Sequence, residues 1–238
     1  MENARDLPQT RRAGGKTSAD AVAADQRQRM LAALPDAVVE NGFEGTTVEH
    51  IVKLGQVRRN AFYEQFADKR DCFAAAHEIA QERLLGVLTF QCYTQSGLAD
   101  RVDAALGAGL DLLAGNPSLT RLLVIEAPAA GEEIAARHQE WLEHYARLLQ
   151  LAAVDSMDVT TPRPALEHAV VGAIVSRVKQ LILAGEIAEL PRLGPELREL
   201  TLIYYGSPEP PPCVSAAAEE AESSQPQSPG RRSALEAV

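Results

Sequence analysis

Arg58, Arg59 and Asn60 stand consecutively in the stretch VRRNAFYEQFADK, and Phe62, Tyr63 and Phe66 follow closely. A guanidinium can donate a fork of two hydrogen bonds to a guanine edge, and a carboxamide can match the edge of adenine. Residue types that read bases therefore sit side by side, in what reads as the first turn of a short helix. Phe62 and Phe66 are four apart and share a face, so they are expected in the core rather than as exposed stacking platforms. Tyr63 lies beside that face, one turn after Arg59, where its hydroxyl can reach a phosphate. Lys69 can do the same from the start of the next helix. Thr47 can do so from the start of the preceding helix, with its hydroxyl and backbone N–H. Taken alone, paired arginines are more often a solvated helix face, and Asn60 can be no more than a cap.

The surroundings decide between these readings. Met30, Leu31, Leu34, Val38 and Val39 recur at spacings of three and four, which predicts an amphipathic helix ending near Asn41-Gly42. Pro35 lies inside it, so the helix should kink there or be packed well enough to tolerate the lost hydrogen bond. Thr46 with Glu49 reads as a capping box that opens a second helix with Val48, Ile51 and Val52 inward, and Gly55 stops it. Only Gly55-Gln56-Val57 then separates it from the arginine-bearing stretch. Two short helices joined by such a turn and backed by a third form a helix-turn-helix, whose second helix offers its first turn to the major groove. Asp68 caps a long helix over about residues 69–93, with Phe73, Ala76, Ala80, Leu84, Val87 and Leu88 on its apolar stripe.

The segment GFEGTTVEHIVKLGQVRRNAFYEQFADKRDCF resembles the N-terminal signature of the TetR family of transcriptional regulators, over about residues 28–75. The matching positions are Gly42, Phe43, Thr46, Thr47, Val48, Ile51, Val57, Arg59, Phe62, Tyr63, Phe66, Lys69 and Phe73. The resemblance implies a homodimer that binds a near-palindromic DNA operator, in most cases as a repressor, and releases it when a small molecule fills the C-terminal domain. The chain departs from the family pattern at Gln56, where a turn glycine often stands. It also has Arg58 for a common Ser, Asn60 for a common Gly and Ala61 for a common Thr. Ala61 removes a hydroxyl that could hold phosphate, a contact Arg58 can replace, and the base preference is the chain's own.

Beyond residue 93 the pattern stays helical. Helices run from Gly97 to Gly115, from Asn116-Pro117 to near Pro128, over roughly twenty residues after that, from Thr161-Pro162 to Gly185, and from Pro195 to Gly206. The fold class is all-α, with about nine helices: a helix-turn-helix domain joined to a helical bundle for regulation and dimerisation. The expected organisation is a flexible basic arm (1–24), the DNA-binding domain (25–68), the ligand-binding and dimerisation domain (69–205) and a disordered tail rich in Pro, Ser, Glu and Ala (206–238).

His138, Trp141 and Tyr145 share a helix face and could line a ligand cavity, although a hydrogen-bonded core histidine is the commoner outcome. Glu126 closes the apolar run LLVIE, either as a polar anchor in that cavity or as a partner of Arg121. The helix over 165–184 carries two apolar stripes, which predicts cover from both sides. Its second stripe, Val171, Val175, Val178 and Ile182, together with Leu200 and Ile203, is the expected dimer interface; the other reading is a central helix of one protomer's own core. Gly107 and Gly109 read as sites of close helix packing.

Net charge is −10, so no global basic field draws the chain to nucleic acid. The region Lys53–Arg70 is locally basic, with Lys53, Arg58, Arg59, Lys69 and Arg70 against Glu64 and Asp68. The three cysteines, Cys72, Cys92 and Cys213, form neither a disulfide framework nor a metal pair. No metal or cofactor motif is present, and no apolar run has the length of a membrane span, so a cytoplasmic location without membrane contact is expected. Two other functions are weighed: a helical-bundle enzyme with a cleft around Glu126 and His138, and an adaptor that uses the helix-turn-helix to bind protein.

Overall fold

The computed structural model describes residues 14–156, 164–203 and 205. Nine α-helices and no strand occur among them, so the all-α expectation holds. They are α1 (Gly14–Gly45), α2 (Val48–Leu54), α3 (Arg59–Gln65), α4 (Lys69–Tyr93), α5 (Leu98–Ala114), α6 (Pro117–Arg121), α7 (Glu132–Ser156), α8 (Pro164–Ala184) and α9 (Gly194–Ile203). A wider π-helical turn, Leu122–Glu126, and a tight turn, Ala127–Ala129, follow α6; a 3-10 segment, Ile187–Leu193, precedes α9. Residues 14–24, expected within a flexible arm, are the first turns of α1. The arm before them, the tail 206–238 and the expected helix start at Thr161-Pro162 lie outside the described residues.

Helix α1 runs on through Pro35, which is buried, and its regular winding ends at Gly42, where φ is 68°. That left-handed conformation suits glycine because it has no Cβ. The capping box of α2 falls one residue later than the sequence suggested. Thr47 is the N-cap: its Oγ1 accepts the His50 N–H at 3.3 Å, and His50 Nδ1 accepts the Thr47 N–H at 3.4 Å. Thr46 is instead buried, and its hydroxyl lies 2.7 Å from the Gly42 carbonyl and 3.1 Å from that of Ala37. The orphan carbonyls at the end of α1 claim the first threonine, leaving the cap to the second.

A core of Met30, Leu34, Val38, Ile51, Phe62 and Phe73 holds α1, α2, α3 and the start of α4 together. Each fully buried aromatic or aliphatic side chain here contributes about 1.5–3 kcal/mol. The same core reaches across the expected boundary at residue 68, taking in Leu122, Ala127 and Ile134. The head is thus packed onto the second domain. Further cores join α5 to α7 (Val102, Ala105, Ala152) and α5 to α8 and α9 (Leu110, Val178, Leu197). A Cβ at Gly109 would meet Leu88 Cδ2 at 2.8 Å, so α4 and α5 approach closely there, as the glycine suggested; Gly107 makes no such contact.

Candidate functional site: a reading head and an apolar cavity

The turn between α2 and α3 forms without glycine at its left-handed position, since Gln56 has φ 51°. Its carbonyl accepts from Arg29 Nη1 at 3.2 Å, which ties the turn to α1. Gly55 is needed for a different reason: a Cβ there would lie 3.1 Å from the Ile51 carbonyl and 3.2 Å from that of Arg29. Helix α3 buries Phe62 completely, with Ala61 and Phe66 beside it, and leaves Arg58, Arg59 and Asn60 exposed. Arg58 is the N-cap of α3 and makes no side-chain capping bond, so its guanidinium is not used in starting the helix.

Tyr63 is half exposed, and its hydroxyl accepts from Arg59 Nη2 at 3.4 Å. The two side chains form one outward unit along a single turn. Arg27 braces the far end of α3, with its guanidinium 4.5 Å over the Phe66 ring and Nη1 3.5 Å from the Gln65 carbonyl. Thr47 is exposed at the start of α2. Lys69 is more constrained than its sequence position implied. Its Nζ donates to the carbonyls of Phe43 and Glu44 at 2.9 Å each and lies 4.8 Å from the Phe43 ring. One of its three donors remains for a further acceptor.

Helices α4, α5, α7 and α8 line a cavity of about 170 Å³. Leu84, Leu88, Leu106 and Leu110 form one side of it, and Val171 and Val175 the other. Among the described residues, no Asp, Glu, Lys or Arg lines it. Its polar wall comprises Gln81, His138, Tyr145 and Thr201. The Tyr145 hydroxyl donates to Gln81 Oε1, and the Gln81 amide lies 3.2 Å from His77 Nε2. Burial, with His138 and Arg137 nearby, lowers the His77 pKa to about 4, so the ring is neutral. A neutral His77 that accepts at Nε2 holds its proton on Nδ1. Burial lowers His138 as well, and its Nδ1 has no hydrogen-bond partner.

Two of the four residues expected at a ligand cavity, His138 and Tyr145, line this one; Glu126 and Trp141 do not. Glu126 instead holds the backbone just past Gly42 and pairs with Arg121, the other of the two roles the sequence left open. Its Oε2 accepts the Phe43 N–H at 3.2 Å, and its Oε1 lies 3.5 Å from Arg121 Nε. Trp141 Nε1 donates to Glu78 Oε2 at 3.3 Å. Glu126 and His138 therefore share no cleft. Burial also pushes the Cys72 thiol up to about 12, so it is no nucleophile near neutral pH.

The dimer stripe needs a larger correction. Val171, Val175 and Val178 line the cavity inside the chain, Ile182 is buried beside Leu190 and Leu197, and Leu200 packs on that same core. Of the six, only Ile203 is exposed. Both apolar stripes of α8 are used within the protomer. Its outward face carries Ala169, Gly172, Ser176 and Leu183.

Sequence reading missed His77, Gln81, Arg27 and Arg29. A signal existed for the first two: polar residues four apart on the inward stripe of α4, where an apolar residue would otherwise stand.

A helix-turn-helix head packed onto an all-α companion domain with an apolar cavity defines the class of protein. Residues 36–76 match the family of bacterial regulatory proteins called tetR, and this N-terminal region is of that family. No curated protein matches the chain at a significant level of sequence similarity. Among solved structures, the fatty acid degradation regulator FadR from Bacillus halodurans superposes with a TM-score of 0.66 at 16% identity, covering 74% of this chain and 97% of its own. FadR from Bacillus subtilis in complex with stearoyl-CoA also gives 0.66 at 16% identity, over 73% of this chain and 96% of its own. SmeT, the repressor of the Stenotrophomonas maltophilia multidrug efflux pump SmeDEF, gives 0.61 at 20% identity, over 79% and 100%. At these identities the likeness is one of fold. No helix among the described residues is long and apolar enough to cross a membrane.

Proposed function

We propose that the chain is a homodimeric transcriptional regulator, a repressor that leaves a near-palindromic operator when a small molecule enters its cavity. One observation carries this reading: Arg58, Arg59 and Asn60 are exposed on the first turn of a helix whose inner face, at Phe62, is wholly buried. Arg58, Arg59 and Asn60 contact bases; Thr47, Tyr63 and the remaining donor of Lys69 contact phosphates. The FadR–stearoyl-CoA complex and the repressor SmeT support a ligand-responsive repressor by analogy of fold.

Dimerisation is required because one short helix reads too few base pairs for useful specificity, and two-fold pairing doubles the readout. The interface we assign is the outward side of α8. A Cβ at Gly172 would meet nothing within 4 Å, and Leu183 is 62% exposed. A second α8 could approach closely along Ala169, Gly172 and Ser176.

Footprinting on the DNA flanking the chain's own coding sequence tests the reading. The expected result is a protected near-palindrome whose half-sites lie about one helical turn apart, roughly 34–36 Å, or a multiple of it. Affinity should fall steeply as salt rises, because phosphate contacts release counterions. Binding to protein instead of DNA, indifferent to salt, would favour the adaptor.

A further inference from the structure

We propose that the cavity binds an uncharged, mainly apolar molecule with one hydrogen-bonding group, a hydroxyl or carbonyl, held between His138 and Tyr145. The inference rests on the effector-responsive reading above and specifies its ligand class.

The walls set the charge. Among the described residues no Asp, Glu, Lys or Arg lines the cavity, so an ionised head would be buried without a counter-charge or a full set of donors. The same walls set the shape of the rest, since leucine and valine side chains from four helices surround the space and offer a long hydrocarbon only dispersion contacts.

The polar group is placed by a deficit. His138 is 8% exposed, and its Nδ1 is a buried polar atom without a partner. Other polar atoms of the wall are occupied. Thr201 donates to the Leu197 carbonyl at 2.7 Å, Gln81 is used by Tyr145 and His77, and the Tyr145 hydroxyl donates its one hydrogen to Gln81, leaving it only as an acceptor. The His138 ring lies 5.7 Å from that of His77, which meets Gln81, which in turn meets Tyr145, so His138, Gln81 and Tyr145 stand together on the wall with His77 behind them. A hydroxyl can serve both His138 Nδ1 and the Tyr145 oxygen, and a carbonyl can accept from His138 in its Nδ1–H form. Such a group can belong to a free neutral amphiphile or to the tail of a larger thioester whose charged part stays in solvent.

The chain's single tryptophan, Trp141, lies 6.4 Å from the Tyr145 ring, so its emission should report occupancy. The full-length protein, without DNA, is titrated with octanol, methyl octanoate, octanoate and octanoyl-CoA at neutral pH. Octanol and methyl octanoate should bind saturably, and octanoate at least about tenfold more weakly, because its ionised head finds no partner. Octanoyl-CoA binding as tightly as methyl octanoate would identify the tail of a larger molecule; its exclusion would identify a free amphiphile.

His138→Phe should weaken octanol about tenfold while leaving the hydrocarbon of equal length unchanged, as loss of one hydrogen bond to a polar group requires. Tyr145→Phe is the second, gentler variant, and Val175→Trp should abolish binding by filling the space. Octanoate binding as well as octanol, indifference of both polar variants, or no saturable binding of any neutral probe would each overturn the proposal. Loss of probe binding with operator binding intact would sink this inference alone. Probe binding that never alters a gel shift would sink the regulator reading and leave the site.

Discussion

The Glu126 carboxylate accepts the backbone N–H of Phe43 at 3.2 Å, across 83 positions of sequence. Three residues earlier, Leu123 lines the cavity. The short π-helical turn therefore touches the cavity at one end and the underside of the helix-turn-helix head at the other. Replacing Glu126 by Ala would strand a buried N–H and leave Arg121 unpaired, with an expected cost of about 1–3 kcal/mol in urea unfolding. Operator affinity should survive, but release by ligand should weaken, because the carboxylate ties the turn to the head. Gel shifts with and without ligand measure this.

Arg59→Ala should weaken specific operator binding about ten- to a hundredfold and relax the preference at one base pair. Quantitative footprinting on a set of single-base operator variants reads both effects. Equal affinity of mutant and parent for every variant would remove Arg59 from the reading face.

Lys69 should show a mixed phenotype. Lys69→Met removes two charge-assisted bonds to the end of α1 and should cost about 1–3 kcal/mol of stability in urea. Its remaining donor predicts weaker binding to all sequences alike, with a salt slope shallower by about one unit. A stability loss with an unchanged slope would make Lys69 a brace and nothing more.

Stability should fall on mild acidification. The unfolded chain protonates His77 near 6.5, whereas the native ring waits until about 4. Between those values the unfolded state holds more protons, so lowering the pH favours unfolding, by up to about 3 kcal/mol across the window. His138, shifted in the same direction, adds to the slope. Urea midpoints measured between about pH 7 and 4.5 should therefore decline, and His77→Leu should flatten that decline.

The turn offers a stabilising change. Gln56→Gly relieves a left-handed conformation while leaving the carbonyl that Arg29 holds, and should gain about 0.5 kcal/mol after the entropy of the freer unfolded chain is subtracted. Gly55→Ala should do the opposite, since the new methyl meets two backbone carbonyls that cannot step aside. Thermal unfolding of the pair decides the matter.

Sequence alone carried the head almost completely, for a physical reason. Periodicity, caps and the buried phenylalanines are all local signals, and α3 and α4 begin and end where those signals stand. The capping box slipped by one residue because the choice between Thr46 and Thr47 depends on the carbonyls of Ala37 and Gly42, which only the folded turn brings near. The α8 assignment failed in a different way. Two apolar stripes say that a helix is covered twice, but not whether the cover comes from its own chain, and here α7, the π-helical turn and the segment before α9 supply it. Of the two readings of Glu126 the pairing with Arg121 is the one seen, and Trp141 misses the cavity, because a shared helix face or an adjacent apolar run fixes direction only to within a quarter turn. At that precision a side chain can enter the cavity or pass beside it.

Helix α8 has no idle side. Val171, Val175 and Val178 look into the cavity, while Ala169, Gly172 and Ser176 look away from it on the same few turns. A rigid rod cannot yield on one flank without moving the other. On the proposed assembly, adaptation to a bulkier chemical and a change in self-association should consequently arise together, so selection for a new taste would carry a built-in trade-off with assembly.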